Sequence, residues 1–390
     1  MRAAIVSRIF EPEPSAASFR LAALAQVMAS SGHELTVLTV HPARPLRAPE
    51  QDSVRPYLVR RFPVLRDRTG YVRGYLQYLS FDVPLFFRIL FGVKRDLIVV
   101  EPPPTTGFFA RAAARLRRTP YAYFAADIWS DASDHAGVPA WMVRLVRRLE
   151  RFSMRGADVV LSVNEGVTAR LAQLGITRNV VTVGNGVDTS IFSASNADRG
   201  RRDHPPYAIY SGTASEWQGA GIFIDALARV RRTVPEARLV FIGQGSDWSE
   251  LQAKAAALPN GAVEFVPTVP PAAAAEWIRG AVASLASIRP DSGYDFAFPT
   301  KVYASIACGT PVVYSGVGAV PAFLRDHQGE AELGESTEYD VDAVAGALLR
   351  AFTSPLSSES RKQLSAWAAE RVSIDAVART AMQALEQCLR

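Results

Sequence analysis

"FPTKVYASIACGTPVV", residues 298–313, contains three local patterns that together decide the fold. Pro299 and Thr300 precede a run with helical spacing, and Thr300 has a short polar side chain of the kind preferred at a helix N-cap. Small residues and a glycine then end the helix, and Val312 and Val313 predict a buried strand. A helix that leads at once into a buried strand is the repeating unit of a parallel α/β sheet.

The same alternation of strand and helix patterns extends outward from this stretch. Strand-like apolar runs include "ARLVFIGQG" (237–245) and "ADVVLSVNEG" (157–166), each followed by a helical pattern. Strands that are apolar on both faces are typical of a parallel sheet covered by crossover helices. The alternation stops at "DTSIFSASNADRGRRDHPP" (188–206), which is polar, contains prolines and predicts a linker.

The predicted fold class is therefore α/β, with two Rossmann-like βαβ domains facing across a cleft. At 390 residues the chain is too long for one ordinary core. We expect an N-terminal domain at 1–186, a linker at 187–206 and a second domain at 207–370, with a C-terminal helix at 371–390 that packs back towards the N-terminal domain. Ligands of open α/β sheets bind at the carboxyl ends of the strands, so we expect the site in the loops there.

Composition argues against several classes of site. The two cysteines and five histidines form no metal-type spacing, so no metal or other cofactor is expected. So few cysteines also argue for a reducing compartment. The N-terminal residues lack the long apolar stretch of a signal peptide, and no apolar run is long enough to span a bilayer. We therefore expect a cytoplasmic protein whose membrane contact, if any, is peripheral and at the inner face.

Arginine and aromatic residues are concentrated in residues 55–118. The formal net charge of the chain is +5, and many of its cations lie in this segment among tyrosines and phenylalanines. Such a mixture suits an anionic, partly apolar surface such as a membrane. A solvated helical surface over an aromatic core explains the same pattern, and both interpretations stay open. No nucleic-acid-binding module is recognised, so no nucleic acid partner is expected.

Two glycine-containing loops follow predicted strands in the second half of the chain. In "YSGTASEWQG", Gly212 and Thr213 precede a helix start, where free backbone N–H groups favour phosphate. An ordinary turn between strand and helix is the alternative. In "FIGQGSD", Gly243 and Gly245 would let a flat base approach the backbone.

Lys301 is expected in the first turn of the helix that begins after Thr300. A cation there opposes the helix dipole, at a cost of up to about 1 kcal/mol. A bound anion at the same helix end would reverse the sign of that interaction, so Lys301 and Thr300 are candidates for binding a phosphate. A lysine that simply faces solvent is the alternative.

Taken in order, these patterns resemble the retaining group 1 glycosyltransferases (family 4), which have the GT-B fold. The similarity runs from "LAALAQVMASSGHELTVLT" (21–39) through "VVTVGNGVDTSIF" (180–192) to "ACGTPVVYSGVGAVPAFL" (307–324), and so covers almost the whole chain. It implies a nucleotide-sugar donor, expected to be a UDP-sugar, in the C-terminal domain and a hydroxyl acceptor in the N-terminal domain. It also implies transfer of a hexose-type sugar with retention of the anomeric configuration.

The resemblance places the donor nucleoside and sugar in named loops. The nucleoside is expected at Gly243, Gln244, Gly245 and Thr268. The pair of glutamates that holds the ribose and the sugar in the family falls at Phe296 and Ala304, so that pair is absent. Tyr303 or backbone groups are expected to replace it. The candidates for binding the sugar hydroxyls are Glu216, Asp291 and Asp295.

The diphosphate-binding loop departs from the family pattern as well. The usual Arg and Lys fall at Thr213 and Gln218, neither of which is a cation. A subgroup that transfers amino and deoxy sugars in surface-polysaccharide assembly has a Pro-Ser/Thr-Lys helix start and a Gln-Gly pair in the earlier loop. Both features are found here, as Pro299-Thr300-Lys301 and Gln218-Gly219. The resemblance therefore implies that Lys301 stabilises the leaving diphosphate, with Gly212, Thr213 and Thr300 beside it.

In the N-terminal half, Asp127 directly follows a predicted strand and matches the Asp-φ-Trp of the same subgroup. We expect it to position or deprotonate the acceptor hydroxyl, with a helix-capping role as the alternative. The residues expected near the acceptor in the first loop are Ser15, Ser18 and Arg20. The acceptor itself is expected to be a lipid-linked or cell-surface glycan precursor.

Two other functions fit the same fold. A nucleotide-sugar epimerase or hydrolase would need further acids and a histidine in the cleft. His135 is the one histidine near a predicted cleft loop, which argues against this function. A protein that binds nucleotide-sugars without catalysis is suggested by Phe296 and Ala304, whereas the presence of Lys301 and Asp127 favours an enzyme. A dinucleotide oxidoreductase is disfavoured because neither domain's first turn carries G-x-G-x-x-G.

Overall fold

The computed structural model describes residues 1–13, 15–43, 52, 54–67, 72, 74–131, 139–194, 205–295 and 297–389. These residues form two compact units. Unit 1 comprises Met1–Asn185 and Ile374–Arg390, and unit 2 comprises Gly186–Ser373. The predicted linker therefore does not stand apart as a whole, because residues 187–194 belong to unit 2 and residues 205–206 lead directly into a strand of that unit.

Unit 1 is built on a seven-stranded parallel sheet. Its strands are β1 (Arg2–Val6), β2 (Glu34–Val40), β3 (Leu58–Phe62), β4 (Leu97–Val100), β5 (Tyr121–Ala125), β6 (Val159–Ser162) and β7 (Val180–Thr182). Their order in the sheet is β3-β2-β1-β4-β5-β6-β7. The order reverses between β1 and β4, so a ligand of this unit is expected at the carboxyl ends of those two strands.

The helices of unit 1 cover the sheet. They are α1 (Ala16–Ser30), α2 (Tyr75–Phe91), α3 (Pro104–Arg117), α4 (Ala140–Arg155), α5 (Glu165–Gln173) and a C-terminal helix, Ile374–Gln387. The C-terminal helix packs against α1. α1 begins at Ser15, whose hydroxyl accepts a hydrogen bond from the backbone N–H of Ser18 at 3.1 Å.

Unit 2 is built on a six-stranded parallel sheet. Its strands are β8 (Tyr207–Thr213), β9 (Arg238–Gln244), β10 (Val263–Val266), β11 (Ala283–Ile288), β12 (Val312–Gly316) and β13 (Gly334–Thr337). Their order is β10-β9-β8-β11-β12-β13, with the reversal between β8 and β11. The carboxyl ends of β8 and β11 are therefore the expected ligand position in this unit.

The helices of unit 2 follow its strands in alternation. They are α6 (Gly221–Val230), α7 (Trp248–Ala255), α8 (Pro271–Gly280), α9 (Lys301–Ala307), α10 (Val320–Asp326), α11 (Val341–Thr353) and α12 (Ser358–Arg371), so that the C-terminal helix of unit 1 is α13. Among the residues that the structure describes, no helix is both long and apolar enough to cross a bilayer.

The two parallel sheets confirm the predicted α/β class of two Rossmann-like domains. They form because the central strands are apolar on both faces: Ile5 and Val99 in unit 1 and Leu285 in unit 2 are completely buried. The stretch 298–313 folds as predicted into a loop, α9 and β12. Thr300 lies at the N-cap of α9, but its backbone is already helical and its side chain makes no capping hydrogen bond.

Candidate functional site

The carboxyl ends of β8 and β9, and the residues that follow them, pack tightly against each other in unit 2. The backbone N–H of Ala214 donates to the carbonyl of Gln244 at 2.9 Å. A Cβ at Gly243 would clash with the backbone of its strand partner Gly212, and one at Gly245 would clash with Ala214. Glycine is therefore required at both positions by the close approach of the two strand ends. The sequence pattern alone had connected these glycines only with access for a ligand.

Lys301 lies beside the end of β8, and its role in binding phosphate stays a prediction. Its Nζ donates a hydrogen bond to the Thr213 carbonyl at 3.3 Å and lies 3.5 Å from the centroid of the Tyr210 ring. Gly212 is next to its aliphatic chain. The structure thus brings together Lys301, Gly212 and Thr213, three of the four predicted diphosphate residues, while Thr300 is exposed at the start of the same helix.

The ammonium of Lys301 makes no ion pair with any carboxylate of the residues that the structure describes. Burial lowers its pKa well below the ordinary value for lysine. The Tyr210 ring and one carbonyl hold the ammonium in place but carry no compensating negative charge. The arrangement therefore provides a positioned, uncompensated cation at the point where the strand order reverses, which suits an anionic ligand group.

Gln218 shapes the loop after β8 from inside. It is buried, and its side-chain oxygen accepts from the backbone N–H of Ser215 at 3.0 Å. The Ser287 hydroxyl donates to the Gln218 carbonyl at 2.6 Å. From further along the chain, the Tyr339 hydroxyl donates to the carbonyl of Gly219 at 2.7 Å. Sequence reasoning missed Tyr339, since no local motif connects it with a loop 120 residues earlier.

The three candidates for the donor sugar lie on two loops that contact each other. Glu216 is exposed in the loop after β8 and lines a cavity of about 490 Å³. Asp291 and Asp295 are exposed in the loop after β11. The two loops meet where the Tyr294 ring stacks on Trp217, with ring centroids 4.4 Å apart.

The remaining nucleoside candidates are in different environments. Gln244, at the end of β9, and Thr268, after β10, are exposed. Tyr303 instead lies in the core, 5% exposed, with its ring stacked on Phe298 at 4.4 Å. Burial raises the pKa of its hydroxyl, and a ring packed in the core in this way is not open to a nucleoside. Ala304 is also buried, and Phe296 lies outside the described residues.

In unit 1, Asp127 follows β5, and its side chain is open to solvent. The surrounding protein nevertheless reduces its hydration and raises the pKa of its carboxyl to about 6. Arg20 opposes this rise, and Glu101 adds to it. The next loop residues are held by a buried carboxylate that the sequence did not reveal, since Glu150 accepts from the backbone N–H of Trp129 at 2.7 Å.

Arg20 is almost completely buried and is already paired. It forms an ion pair with Glu101, directly after β4, and it donates a second hydrogen bond to the side chain of Asn185. Ser15 caps α1, and Ser18 is fully buried. The three residues predicted near the acceptor therefore support the start of α1. Glu101 was missed because only the fold brings it to Arg20, 81 residues away in sequence.

Two further buried charges lie near the ends of β1 and β4. Arg8 follows β1 and lies 3.7 Å from the centroid of the Tyr78 ring. Asp82 of α2 is fully buried and accepts from the Thr106 hydroxyl at 2.6 Å. Burial raises the pKa of Asp82, and the charge of Arg8 opposes that rise. The sequence signal for these two buried charges, Arg8 and Asp82, is the position of Arg8 directly after the end of the first strand.

No group of three or more His, Cys, Asp or Glu side chains that could hold a metal ion is found in the described ranges. The finding concerns only the arrangement of these side chains. The expectation that the protein needs no cofactor stays a prediction.

Comparisons with known proteins assign both halves of the chain. Residues 16–186 match the family described as Glycosyl transferase 4-like domain, and residues 205–354 match Glycosyl transferases group 1. The D-inositol 3-phosphate glycosyltransferase of Acidothermus cellulolyticus is 32% identical over 189 residues, 45% of this chain and 40% of that protein. A GDP-mannose-dependent alpha-(1-6)-phosphatidylinositol dimannoside mannosyltransferase of Mycobacterium tuberculosis is 28% identical over 199 residues, 49% of this chain and 48% of the relative.

The chain thus aligns with less than half the length of either curated relative. Among solved structures, Anabaena Alr3699/HepE in complex with UDP superimposes with a TM-score of 0.71 and 16% identity, covering 99% of this chain and 100% of the other. At that identity the likeness shows the fold alone. With its two domain matches, the chain belongs to the group 1 glycosyltransferases of GT-B fold, the family predicted from its sequence.

Proposed function

We propose that the protein is a retaining glycosyltransferase that moves a hexose-type sugar from a UDP-sugar donor to a hydroxyl acceptor. The observation that carries this proposal is the uncompensated ammonium of Lys301 beside the end of β8. The ammonium has no counter-charge among the described residues, and a departing nucleoside diphosphate would supply one. A positioned cation stabilises such a leaving group.

Unit 2 would hold the donor through side chains and backbone already in place. Lys301, with Gly212 and Thr213, would bind the diphosphate, and the exposed Thr300 would contact it from the start of α9. The nucleoside would lie against the loop that contains Gly243, Gln244 and Gly245, with Thr268 beside it. The sugar hydroxyls would be bound by Glu216, Asp291 and Asp295.

Asp127 would orient or deprotonate the acceptor hydroxyl. A carboxyl with a pKa of about 6 is ionised at neutral pH and is a better base than an ordinary aspartate. Loss of hydration is the main cause of this raised pKa, and the buried Arg20–Glu101 pair would adjust it from behind the loop, without touching the acceptor.

For the acceptor we propose a lipid-linked or cell-surface glycan precursor. The transferred sugar would include the N-acetylated amino type, as in the amino- and deoxy-sugar subgroup that Pro299-Thr300-Lys301 resembles. The enzyme would act at the cytoplasmic face of a membrane, through residues 55–118. The phosphatidylinositol dimannoside in the name of the mycobacterial relative supports a lipid-borne acceptor.

The donor is tested by thermal unfolding of the full chain with UDP, GDP, ADP and NAD, and then with sugar derivatives of the nucleotide that binds. A ligand at one hundred times its dissociation constant stabilises by about 2.7 kcal/mol, enough for a shift of several degrees. We expect the largest shift with UDP, the nucleotide bound in the solved complex of the structural neighbour. A shift with GDP alone would show that the donor nucleotide is GDP, the nucleotide in the name of the mycobacterial mannosyltransferase, and not UDP.

A protein that binds the donor without transferring its sugar is the second candidate, favoured by the buried Ala304 at the position of a family glutamate. Such a protein would show the thermal shift but release no nucleoside diphosphate in the presence of lipid-linked acceptors. No shift with any nucleotide would contradict both functions.

A further inference from the structure

Helix α2 of unit 1 exposes a continuous apolar face. Its exposed large apolar side chains recur every three or four residues, a spacing that aligns them along one side of a helix. The set, called here the α2 stripe, is Leu76, Leu79, Val83, Phe87 and Phe91. Leu76 is 71% exposed and Phe91 is 78% exposed. Contiguous exposed apolar surface of this kind marks a site of interaction.

A cavity of about 410 Å³ opens at the C-terminal end of the α2 stripe. Phe87 and Phe91 belong both to the stripe and to the wall of this cavity. Four arginines also line it, and the described lining residues include no aspartate or glutamate. These arginines are Arg60, Arg88, Arg95 and Arg117. We refer to the cavity as the arginine pocket.

Three of these four arginines form no ion pair with the residues that the structure describes. Arg117 is held differently, because its Nη1 donates to the carbonyls of Leu90 and Gly92, both at 2.8 Å, and so completes the end of α2. Arg60 is exposed. Arg95 is half-buried; the charge of Glu34 attracts it from outside the pocket lining, and the charges of Arg60 and Arg2 repel it.

Arg88 presents the clearest unpaired donor of the pocket. Its guanidinium stacks on the Phe62 ring at 3.6 Å, while its Nη1 is buried and has no hydrogen-bond partner among the described residues. Burial lowers its pKa, and no carboxylate in the part of the chain that the structure describes opposes that effect. A buried charged donor without a partner is costly, so a bound anion would supply the missing hydrogen bonds.

We propose that the arginine pocket binds the phosphate headgroup of an anionic phospholipid while the α2 stripe lies in the bilayer surface. The inference depends on the proposed membrane contact and adds the residues and the lipid class. Phosphate matches the fork of N–H donors that arginine presents. Phe87 and Phe91 connect the charged pocket to the apolar stripe, a continuity that suits an amphiphile anchored in a membrane better than a free phosphate ion.

The charge around the stripe agrees with an anionic membrane. The loop after α2 adds the exposed Lys94, and the end of α3 adds Arg115 and Arg118. Cations beside an inserted apolar face are attracted to acidic lipids, by about 1 kcal/mol each near the surface. Trp141 and Leu145 of α4 form a smaller exposed apolar pair, which serves as the comparison surface.

Co-sedimentation of the full chain with vesicles tests the assignment. One set of vesicles contains phosphatidylcholine alone, and the other contains phosphatidylcholine with phosphatidylglycerol. We expect Arg88→Gln/Arg95→Gln to lower affinity for the acidic vesicles roughly 30-fold, from about 1 kcal/mol for each cation, with little change on neutral vesicles. Phe87→Ser/Phe91→Ser should weaken binding to both. The charge-matched control is Arg232→Gln/Lys362→Gln on exposed positions of unit 2.

Several results would overturn the proposal. Equal losses in the control and pocket variants would show that only net charge matters. Loss with Trp141→Ser/Leu145→Ser, but not with Phe87→Ser/Phe91→Ser, would assign the membrane face to α4. Release from acidic vesicles by soluble glycerol phosphate at low concentration would assign the pocket to a free phosphate.

Folding and function are monitored separately. Arg60→Gln changes an exposed side chain of the pocket and should reproduce part of the loss without affecting the core. The UDP-dependent thermal shift should be unchanged in every pocket variant. A pocket variant that loses vesicle binding but keeps the shift supports the lipid site, whereas wild-type protein that binds vesicles but no nucleotide contradicts only the proposed function.

Discussion

Two cations lie near the point where the strand order reverses, the buried Arg20 in unit 1 and the half-buried Lys301 in unit 2, and their surroundings differ. Arg20 of unit 1 forms a buried ion pair with Glu101 and a second bond to Asn185. Lys301 of unit 2 has an aromatic ring and one carbonyl around it, and no carboxylate among the described residues. A cation neutralised within the fold supports structure, whereas a cation left without a counter-charge is available to a ligand. The presence or absence of a counter-charge therefore distinguishes a residue that supports the fold from a residue that binds a ligand. The position of the two cations in their sheets is similar and does not distinguish them.

The largest expected effect comes from removing the unpaired cation. Lys301→Ala should lower sugar transfer by about 10³-fold, because a positioned cation acts on charge that develops in the transition state. The thermal shift given by the nucleotide should also be reduced. Transfer is measured as release of nucleoside diphosphate, with Lys362→Ala as a control at an exposed lysine of α12.

The free energy of unfolding should be much less sensitive to Lys301→Ala than sugar transfer is. Lys301 loses hydration on burial without a compensating charge, so Lys301→Ala should not lower the free energy of unfolding by the amount expected for a paired charge. Transfer at the wild-type rate in Lys301→Ala would remove the proposed phosphate role and, with it, the comparison between the two cations.

The paired cation should show the reverse behaviour. Glu101→Gln leaves the charge of Arg20 buried without a counter-charge, which should lower the free energy of unfolding by about 3 kcal/mol. Urea denaturation measures this loss. Glu34→Gln removes the partner of Arg2 from an ion pair that is exposed on both sides, and should change stability by less than about 1 kcal/mol. Equal effects of the two changes would mean that the buried pair contributes nothing special to the fold.

The fold was predictable because its signals are local. Runs such as 97–100 and 159–161 are apolar on both faces, and their alternation with helical spacing specifies a parallel sheet without any long-range information. Lys301 could be predicted for a related reason, since its place in the first turn of a helix after a strand follows from "FPTKVYAS" alone.

The rest of the site depends on contacts between distant parts of the chain. Glu101 meets Arg20 and Tyr339 meets Gly219 only through the fold, and neither pair has a sequence spacing that would reveal it. Tyr303 is adjacent in sequence to Ala304, the position of a family glutamate, but the turn of α9 directs its ring into the core against Phe298.

A smaller loss of transfer is expected at Asp127, whose pKa is influenced by the charges of Arg20 and Glu101. Asp127→Asn should reduce transfer by about 10²-fold while sparing the nucleotide-dependent thermal shift, since it removes a base and not a donor contact. Asp375→Asn, at an exposed position of α13, is the matched control. Equal loss of transfer and donor binding would show that Asp127 is structural.

The pH profile of kcat/KM then relates Asp127 to the Arg20–Glu101 pair. Asp127 acts as a base when ionised, so transfer should rise with pH through about 6, the pKa to which the protein raises this carboxyl. Asp127→Asn should remove that limb. Glu101→Gln should move it to lower pH, because the Glu101 carboxylate raises the pKa of Asp127 while Arg20 lowers it, and the substitution leaves the lowering influence alone. A limb that stays near pH 6 in Glu101→Gln would show that hydration alone sets the pKa, and that the ion pair of unit 1 supports the fold without influencing the base.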